Sequence, residues 1–222
     1  MKPHARFRDR EDAGRQLALA LQEFSGRRDV LVLGLPRGGV PVAGVVARDL
    51  HVPLDALIVR KVGFPGHEEF AVGAVGPAGV TVIDWQTLAE FGLAPEALAP
   101  TIERERDELQ RREHVYRDSL PFPDVRARVV IIVDDGLATG ASMAAAVETV
   151  RHLHAARVIV AVPVASVDGA ERLRGVADDV VALRTPDPFT AVGLWYDDFG
   201  ATTDEEVISW LEDARAGFGQ QV

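Results

Sequence analysis

The sequence predicts an α/β fold with a central, mostly parallel sheet flanked by helices, and three observations carry that reading. Short apolar runs rich in β-branched residues recur along the chain: VLVLG (30–34), VVIIV (129–133) and VIVAVPV (158–164). Such runs suit strands covered by helices on both faces. The first two lead into a glycine-bearing turn and then a helical pattern, which is the βα step of a parallel sheet. Strand and helix go on alternating, with no internal repeat and no low-complexity tract.

From the N-terminus, DREDAGRQLALALQEF (9–24) sets Leu17, Leu21 and Phe24 at helical spacing, with acidic residues in its first turn. An N-terminal helix is therefore expected within 1–26, ended by Gly26. VLVLG is the first strand, LPRGG (35–39) its turn, and VPVAGVVARDL (40–50) the next helix, with Pro41 tolerated in the first turn. A second strand is expected over Leu54 to Val62, followed by a loop, GFPGHEE (63–69), with two glycines and a proline. FAVGAVG (70–76) and GVTVID (79–84) read as short strands joined through Gly76-Pro77.

Gln86 to Arg117 is helical in pattern, broken at Gly92 to Pro95, and ERERDELQRRE (103–113) reads as a solvated face of mixed charge. Residues 85–120 are thus expected to be a helical insertion on a single domain spanning 1–222. VVIIV and the helix ASMAAAVETVRHLHA (141–155) come next. ARVIVAVPVAS (156–166) and VADDVVALRT (176–185) supply two further strands around a helical turn, GAERLRG (169–175). PDPFTAVGLWYDDFG (186–200) is irregular and aromatic. TDEEVISWLEDARA (203–216) is a C-terminal helix led by Thr203 or Asp204.

Composition bounds the function. The net charge of −10 opposes binding to nucleic acid or anionic membrane, so any anionic ligand needs a local site. The chain has no cysteine, which excludes disulfides and thiolate metal sites. No apolar run approaches the ~18 residues of a membrane span, and MKPHARFRDR lacks the apolar centre of a signal peptide. A cytoplasmic protein is expected. Lys2 and Lys61 are the only lysines, which singles out Lys61 in LIVRKVGF.

In open α/β sheets ligands bind beyond the carboxyl ends of the strands, and LPRGG, RKVG, DDGLATGAS and the aromatic tail are all expected there. In DDGLATGAS (134–142) the small residues Gly136, Ala138, Gly140 and Ala141 let backbone approach a ligand, and Thr139 and Ser142 add hydroxyls. The first N–H groups of the following helix suit a phosphate monoester. Asp134 and Asp135, one turn earlier, suit a pair of vicinal hydroxyls or the neighbourhood of a divalent cation. A sugar phosphate with a cis-diol satisfies both halves. A P-loop would need Gly-Lys-Ser/Thr, and no lysine is present here. An acidic loop capping a helix explains one aspartate but not two together with the small residues. LPRGG offers Arg37 and the N–H groups of Gly38 and Gly39 to a polyphosphate, and also suits a plain tight turn.

These residues resemble a family. VVIIVDDGLATGAS resembles the phosphoribosyl-pyrophosphate (PRPP) signature of the type I phosphoribosyltransferases. LPRGG sits where that family has its pyrophosphate loop, and RKVGFPGHEEF (60–70) where it has a mobile catalytic loop. PDPFTAVG (186–193) is similar to the PD-x-F-x-x-VG segment of hypoxanthine-guanine phosphoribosyltransferases. The resemblance implies that Asp134 and Asp135 hold the ribose hydroxyls. It implies that Ala138, Thr139, Gly140, Ala141 and Ser142 cradle the 5′-phosphate, and that Arg37, Gly38, Gly39 and Lys61 bind pyrophosphate. Phe189 and Val192 would meet the base.

Mg²⁺ would bridge pyrophosphate and ribose mainly through ligand and water oxygens, with Asp134 and Asp135 indirect. The implied reaction transfers phosphoribose from PRPP to a nucleobase or related nitrogen nucleophile and releases pyrophosphate, in a homodimer. Ala138 stands where the hypoxanthine-guanine enzymes have an aspartate, as in adenine phosphoribosyltransferases, so the acceptor stays open. Glu68 or Glu69 is the candidate loop acid. Residues 95–117 resemble no base-specific subfamily. The alternative is a regulator of the same fold that senses PRPP or nucleotides without turnover.

Overall fold

A computed structural model of the chain describes residues 6–118 and 120–219. The frame is a five-stranded parallel sheet of β1 (Val30–Gly34), β2 (Leu54–Ala56), β6 (Val129–Val133), β7 (Arg157–Val164) and β8 (Asp179–Arg184). Across the sheet the order is β2-β1-β6-β7-β8. Every residue of β1 and β6 is buried. Because side chains alternate along a strand, Val32, Ile131 and Val133 feed one core while Leu31, Leu33, Val130 and Ile132 feed the other.

The first core is covered by α1 (Arg10–Ala20), α2 (Gly39–Leu50) and α7 (Asp204–Gly219). The second is covered by α5 (Ala141–His152) and α6 (Val167–Arg174). Each fully buried aliphatic side chain contributes about 1.5–3 kcal/mol, which makes the two-sided burial of β1 and β6 the main source of rigidity. Asp9 caps α1 by accepting from the Asp12 N–H at 2.7 Å. Thr203 and Glu206 cap α7 reciprocally at 3.2 and 2.8 Å, the two halves of a capping box. The expected N-terminal helix within 1–26 is thus α1 followed by a short 3₁₀ turn at Gln22–Phe24, with residues 1–5 outside the described ones.

A second, antiparallel sheet holds β3 (Arg60–Phe64), β4 (His67–Val75) and β5 (Thr81–Ile83). Two expectations change here. The strand expected over Leu54 to Val62 is two strands in different sheets. The Leu57 N–H still bonds the Gly34 carbonyl at 2.9 Å, and the chain then leaves the parallel ladder before pairing with β4. The loop expected over 63–69 is a tight hairpin: Phe64 faces His67 across Pro65-Gly66, and Gly66 supplies a φ of +79°. Gly66 is open to solvent space on its Cβ side, so the turn needs glycine for its backbone angle rather than for room.

The region expected as a helical insertion consists of α3 (Trp85–Glu90), a 3₁₀ turn at Pro95–Leu98 and α4 (Ala99–Arg117). Its mixed charge is not all solvated. Arg117 is 2% exposed and donates to Asp55 at 2.9 Å, to Glu113 at 2.9 Å and to the Ala56 carbonyl. Arg60 pairs with Glu105 at 2.7 Å, and the Tyr116 hydroxyl donates to Asp204 at 2.5 Å. Leu109 and Tyr116 join the α2/α7 core. These contacts seat α4 against β2, β3 and the start of α7.

Candidate functional site

The two turns singled out by sequence leave the sheet side by side. Gly34 and Val133 are register partners, and the Leu35 N–H bonds the Val133 carbonyl at 2.9 Å. Gly39 then lies on the following turn so closely that a Cβ there would fall 2.7 Å from the Val133 carbonyl oxygen and 2.8 Å from the Asp134 Cα. A Cβ on Gly38 would overlap an Asp135 carboxylate oxygen. Glycine at both positions therefore lets LPRGG and Asp134-Asp135 form one surface. The peptide bond between Pro36 and Arg37 is cis.

Asp134 accepts the Asp135 N–H at 2.8 Å. Burial, then the neighbouring Asp135 charge, pushes the Asp134 carboxyl well above its ordinary value. Burial also raises Asp135, and Arg10 opposes that rise. The Arg10 guanidinium reaches Asp135 through Nε and Nη2, both at 2.9 Å, and donates to the Gly200 carbonyl at 2.7 Å. The same guanidinium lies 4.0 Å over the Phe199 ring. The Tyr196 hydroxyl donates to the Asp135 carbonyl at 2.5 Å, and burial followed by the Asp135 charge keeps its proton on. Helix α1 and the aromatic tail thus brace Asp135, a function sequence reasoning did not assign to Arg10 or Tyr196.

The 138–142 segment runs into α5 through Gly140, which has φ +76°. It is held by α6: the Ser166 hydroxyl donates to the Ala138 carbonyl and accepts from the Gly169 N–H at 2.9 Å. Ala138, Thr139 and Ser142 are exposed, and Ala141 is half-buried. The first turn of α5 directs its N–H groups and positive dipole end outward.

Arg37 and Lys61 fall in different cavities. Arg37 opens onto a cavity of about 350 Å³ walled by Arg111, Arg112, Tyr116 and Asp204. Lys61 is not there. It lines a groove of about 670 Å³ between the antiparallel sheet and α5, with Ala141, Glu148 and Arg172. Val192 packs on Gly136, where any Cβ would overlap Val192 Cγ1. Phe189 is half-buried and directly follows the cis Asp187-Pro188 bond. Glu68 is exposed on the hairpin, 3.9 Å from Arg104. Glu69 is on β4, and its side chain lies outside the described residues.

Among the described residues no three His, Cys, Asp or Glu side chains cluster as a metal cage. Two adjacent carboxylates suit Mg²⁺ instead, since it keeps several waters and takes one or two carboxylates plus substrate phosphates. Among the described residues no helix is long and apolar enough to cross a membrane.

A family model and curated relatives point to one family. A family model described as a phosphoribosyl transferase domain matches residues 8–197. The crystal structure of TT1426 from Thermus thermophilus is similar, with 49% identity and a TM-score of 0.86 over 94% of this chain and 98% of that one. Two Mycobacterium tuberculosis proteins named "Putative phosphoribosyl transferase", Rv0571c of strain H37Rv and MT0597 of strain CDC 1551, are each 44% identical over 214 residues. The match takes in 96% of this chain and 48% of theirs, so the chain spans about half the length of the curated relatives it matches.

Proposed function

The chain belongs to the phosphoribosyl transferase domain family, and from that premise we propose that it binds Mg²⁺·PRPP and transfers phosphoribose to a nitrogen nucleophile with release of pyrophosphate. The observation that supports this most is the contact of Gly38 and Gly39 with Asp135 and Asp134. It joins a turn suited to pyrophosphate and a carboxylate pair suited to a ribose diol on the strand-to-helix connection that leads into α5.

In this reading Asp134 and Asp135 accept from the ribose 2′- and 3′-hydroxyls. The N–H groups and hydroxyls of Ala138, Thr139, Gly140, Ala141 and Ser142 hold the 5′-phosphate. Arg37 and the Gly38 and Gly39 N–H groups take the pyrophosphate. Lys61 and Arg172 add positive charge to the groove beside Ala141. Phe189 and Val192 flank the acceptor, and Glu68 and Glu69 remain the candidate loop acids. Mg²⁺ would be held by ligand and water oxygens near Asp134 and Asp135, and would supply charge neutralisation to the leaving pyrophosphate.

The bond from the anomeric carbon to pyrophosphate oxygen breaks as the carbon–nitrogen bond forms. The chain's residues contribute by positioning the two reactants and stabilising charge on the leaving group. We further propose a cytoplasmic homodimer; that it acts on small molecules is supported by the net charge of −10, which disfavours nucleic acid as a partner.

Calorimetric titration of PRPP with and without Mg²⁺ tests this on the wild type and the Asp134→Asn/Asp135→Asn double variant. Magnesium-dependent binding that the double variant loses is expected. A folded wild type that binds no PRPP sinks the proposal. Binding without pyrophosphate release on any nucleobase would favour a sensor of the same fold.

A further inference from the structure

Helix α4 carries charges that neither its packing nor the reaction above requires. Arg117, Arg60–Glu105 and Tyr116–Asp204 seat the helix. Arg111 and Arg112 do not. They line the same cavity as Arg37 of the LPRGG turn. Three arginines therefore line one cavity of about 350 Å³ in a protein of net charge −10.

Two carboxylates stand near them. Glu108 accepts from Arg111 at 2.7 and 2.9 Å and from Arg112 at 2.8 Å, which holds the two guanidiniums together from the helix side. Asp204, in the cavity wall, is turned onto the Tyr116 hydroxyl at 2.5 Å. Neither pairs with Arg37. Guanidiniums match phosphate oxygens bidentately, so arginines that line one space suit a polyphosphate even where an internal carboxylate holds them in its absence. The cavity is also lined by Pro36 and Arg37, which belong to the turn proposed as the pyrophosphate loop.

We infer that α4 completes a second phosphate subsite, in which Arg111 and Arg112 act with Arg37 on the distal phosphate of a diphosphate group. This rests on the PRPP reading for the position of the proximal phosphate. It gives the charged insertion a place in substrate binding, with Glu108 as the internal anion that the ligand displaces from the two arginines. Glu108 is held down to about 2 by its hydrogen bonds to Arg111 and then Arg112, so it is ionised and competes across the neutral range.

The test is calorimetric titration of inorganic pyrophosphate and, separately, orthophosphate, each with Mg²⁺. Wild type, Arg111→Gln/Arg112→Gln and Glu108→Gln are compared. The double variant is expected to bind pyrophosphate at least tenfold more weakly, the loss of charge-assisted contacts to phosphate. Glu108→Gln keeps both guanidiniums and is expected to tighten binding, an effect of opposite sign that a folding defect cannot produce. Pyrophosphate binding unchanged in the double variant overturns the inference. So does orthophosphate held as tightly as pyrophosphate, or a Glu108→Gln variant that fails to tighten.

PRPP titrations separate this inference from the reading beneath it. If PRPP binding needs Asp134 and Asp135 but ignores Arg111 and Arg112, the subsite falls and the transferase reading stands. If pyrophosphate binds through the arginines while PRPP does not bind at all, the reading falls and the phosphate site stands.

Discussion

The two sheets differ in what they bury and in what they carry. In the parallel sheet, β1 and β6 are buried along their whole length between two helical layers, and their ends hold Gly39 against Asp134. In the antiparallel sheet, β3 is only partly covered, with Lys61 exposed. Phe70 of β4 and Phe91, which ends α3, stay 46% and 62% exposed in a cluster with Phe64 of β3. The first sheet is built for fixed geometry and carries the residues proposed above to meet the ribose and the pyrophosphate. The second carries Lys61, Glu68 and Glu69 on a framework with fewer buried contacts, which suits groups that approach a ligand from outside.

Weakening each sheet separately puts this contrast to its hardest test. Ile132→Ala removes a fully buried side chain at the centre of β6. It is expected to cost about 2–5 kcal/mol of global stability by chemical denaturation. A loss below about 1 kcal/mol would mean that β6 is not the rigid centre of the fold. Gly66→Ala acts on the other sheet. Nothing blocks a Cβ there, so the cost is the left-handed backbone alone, about 1–2 kcal/mol. If the small sheet opens independently, amide exchange should quicken within Arg60–Phe64 and His67–Val75 while the melting temperature barely moves. A matching fall in global stability would show instead that both sheets unfold as one unit.

That division also marks how far the sequence could be read. The parallel frame was legible because burial on both faces leaves a strong trace, an unbroken apolar run ending at a glycine turn. The turn from Asp134 to Gly140 was legible as a strand-to-helix connection because its small residues, Gly136, Ala138 and Gly140, interrupt the apolar run before the α5 pattern begins. The split of 54–62 between two sheets was not, since Leu57 and Ile58 are buried and apolar whichever ladder they join. Nor was Arg10, whose pairing with Asp135 spans 125 positions and leaves no local pattern. Arg111 and Arg112 read as a solvated face because mixed charge on a helix does not reveal which neighbours lie across from it. The buried Leu109 and Tyr116 mark the packed side only once α7 is in place.

A smaller change runs against the usual direction of mutation and tests whether the frame holds its carboxylates at a cost. Asp134 sits where burial and Asp135 raise its carboxyl above the ordinary value. A group raised in the folded state binds its proton more tightly there than in the unfolded chain. Its contribution to stability is therefore fully present below the unfolded value and is lost as pH rises through the folded one. Above the ordinary aspartate value the buried Asp134 carboxyl therefore favours the unfolded chain, where it ionises more readily. An asparagine in its place keeps an oxygen to accept the Asp135 N–H but carries no charge. Asp134→Asn should thus raise stability at pH 7 by on the order of 1 kcal/mol, with the gain shrinking as the pH falls toward the ordinary aspartate value, while PRPP binding is lost. Wild-type PRPP affinity should fall with acid at a pH above that ordinary value, because a protonated carboxyl cannot accept from both hydroxyls. Melting curves of wild type and variant across this pH range decide the point: a destabilised Asp134→Asn variant would mean that the carboxylate is held for structure, and the case for it as a ribose ligand would weaken accordingly.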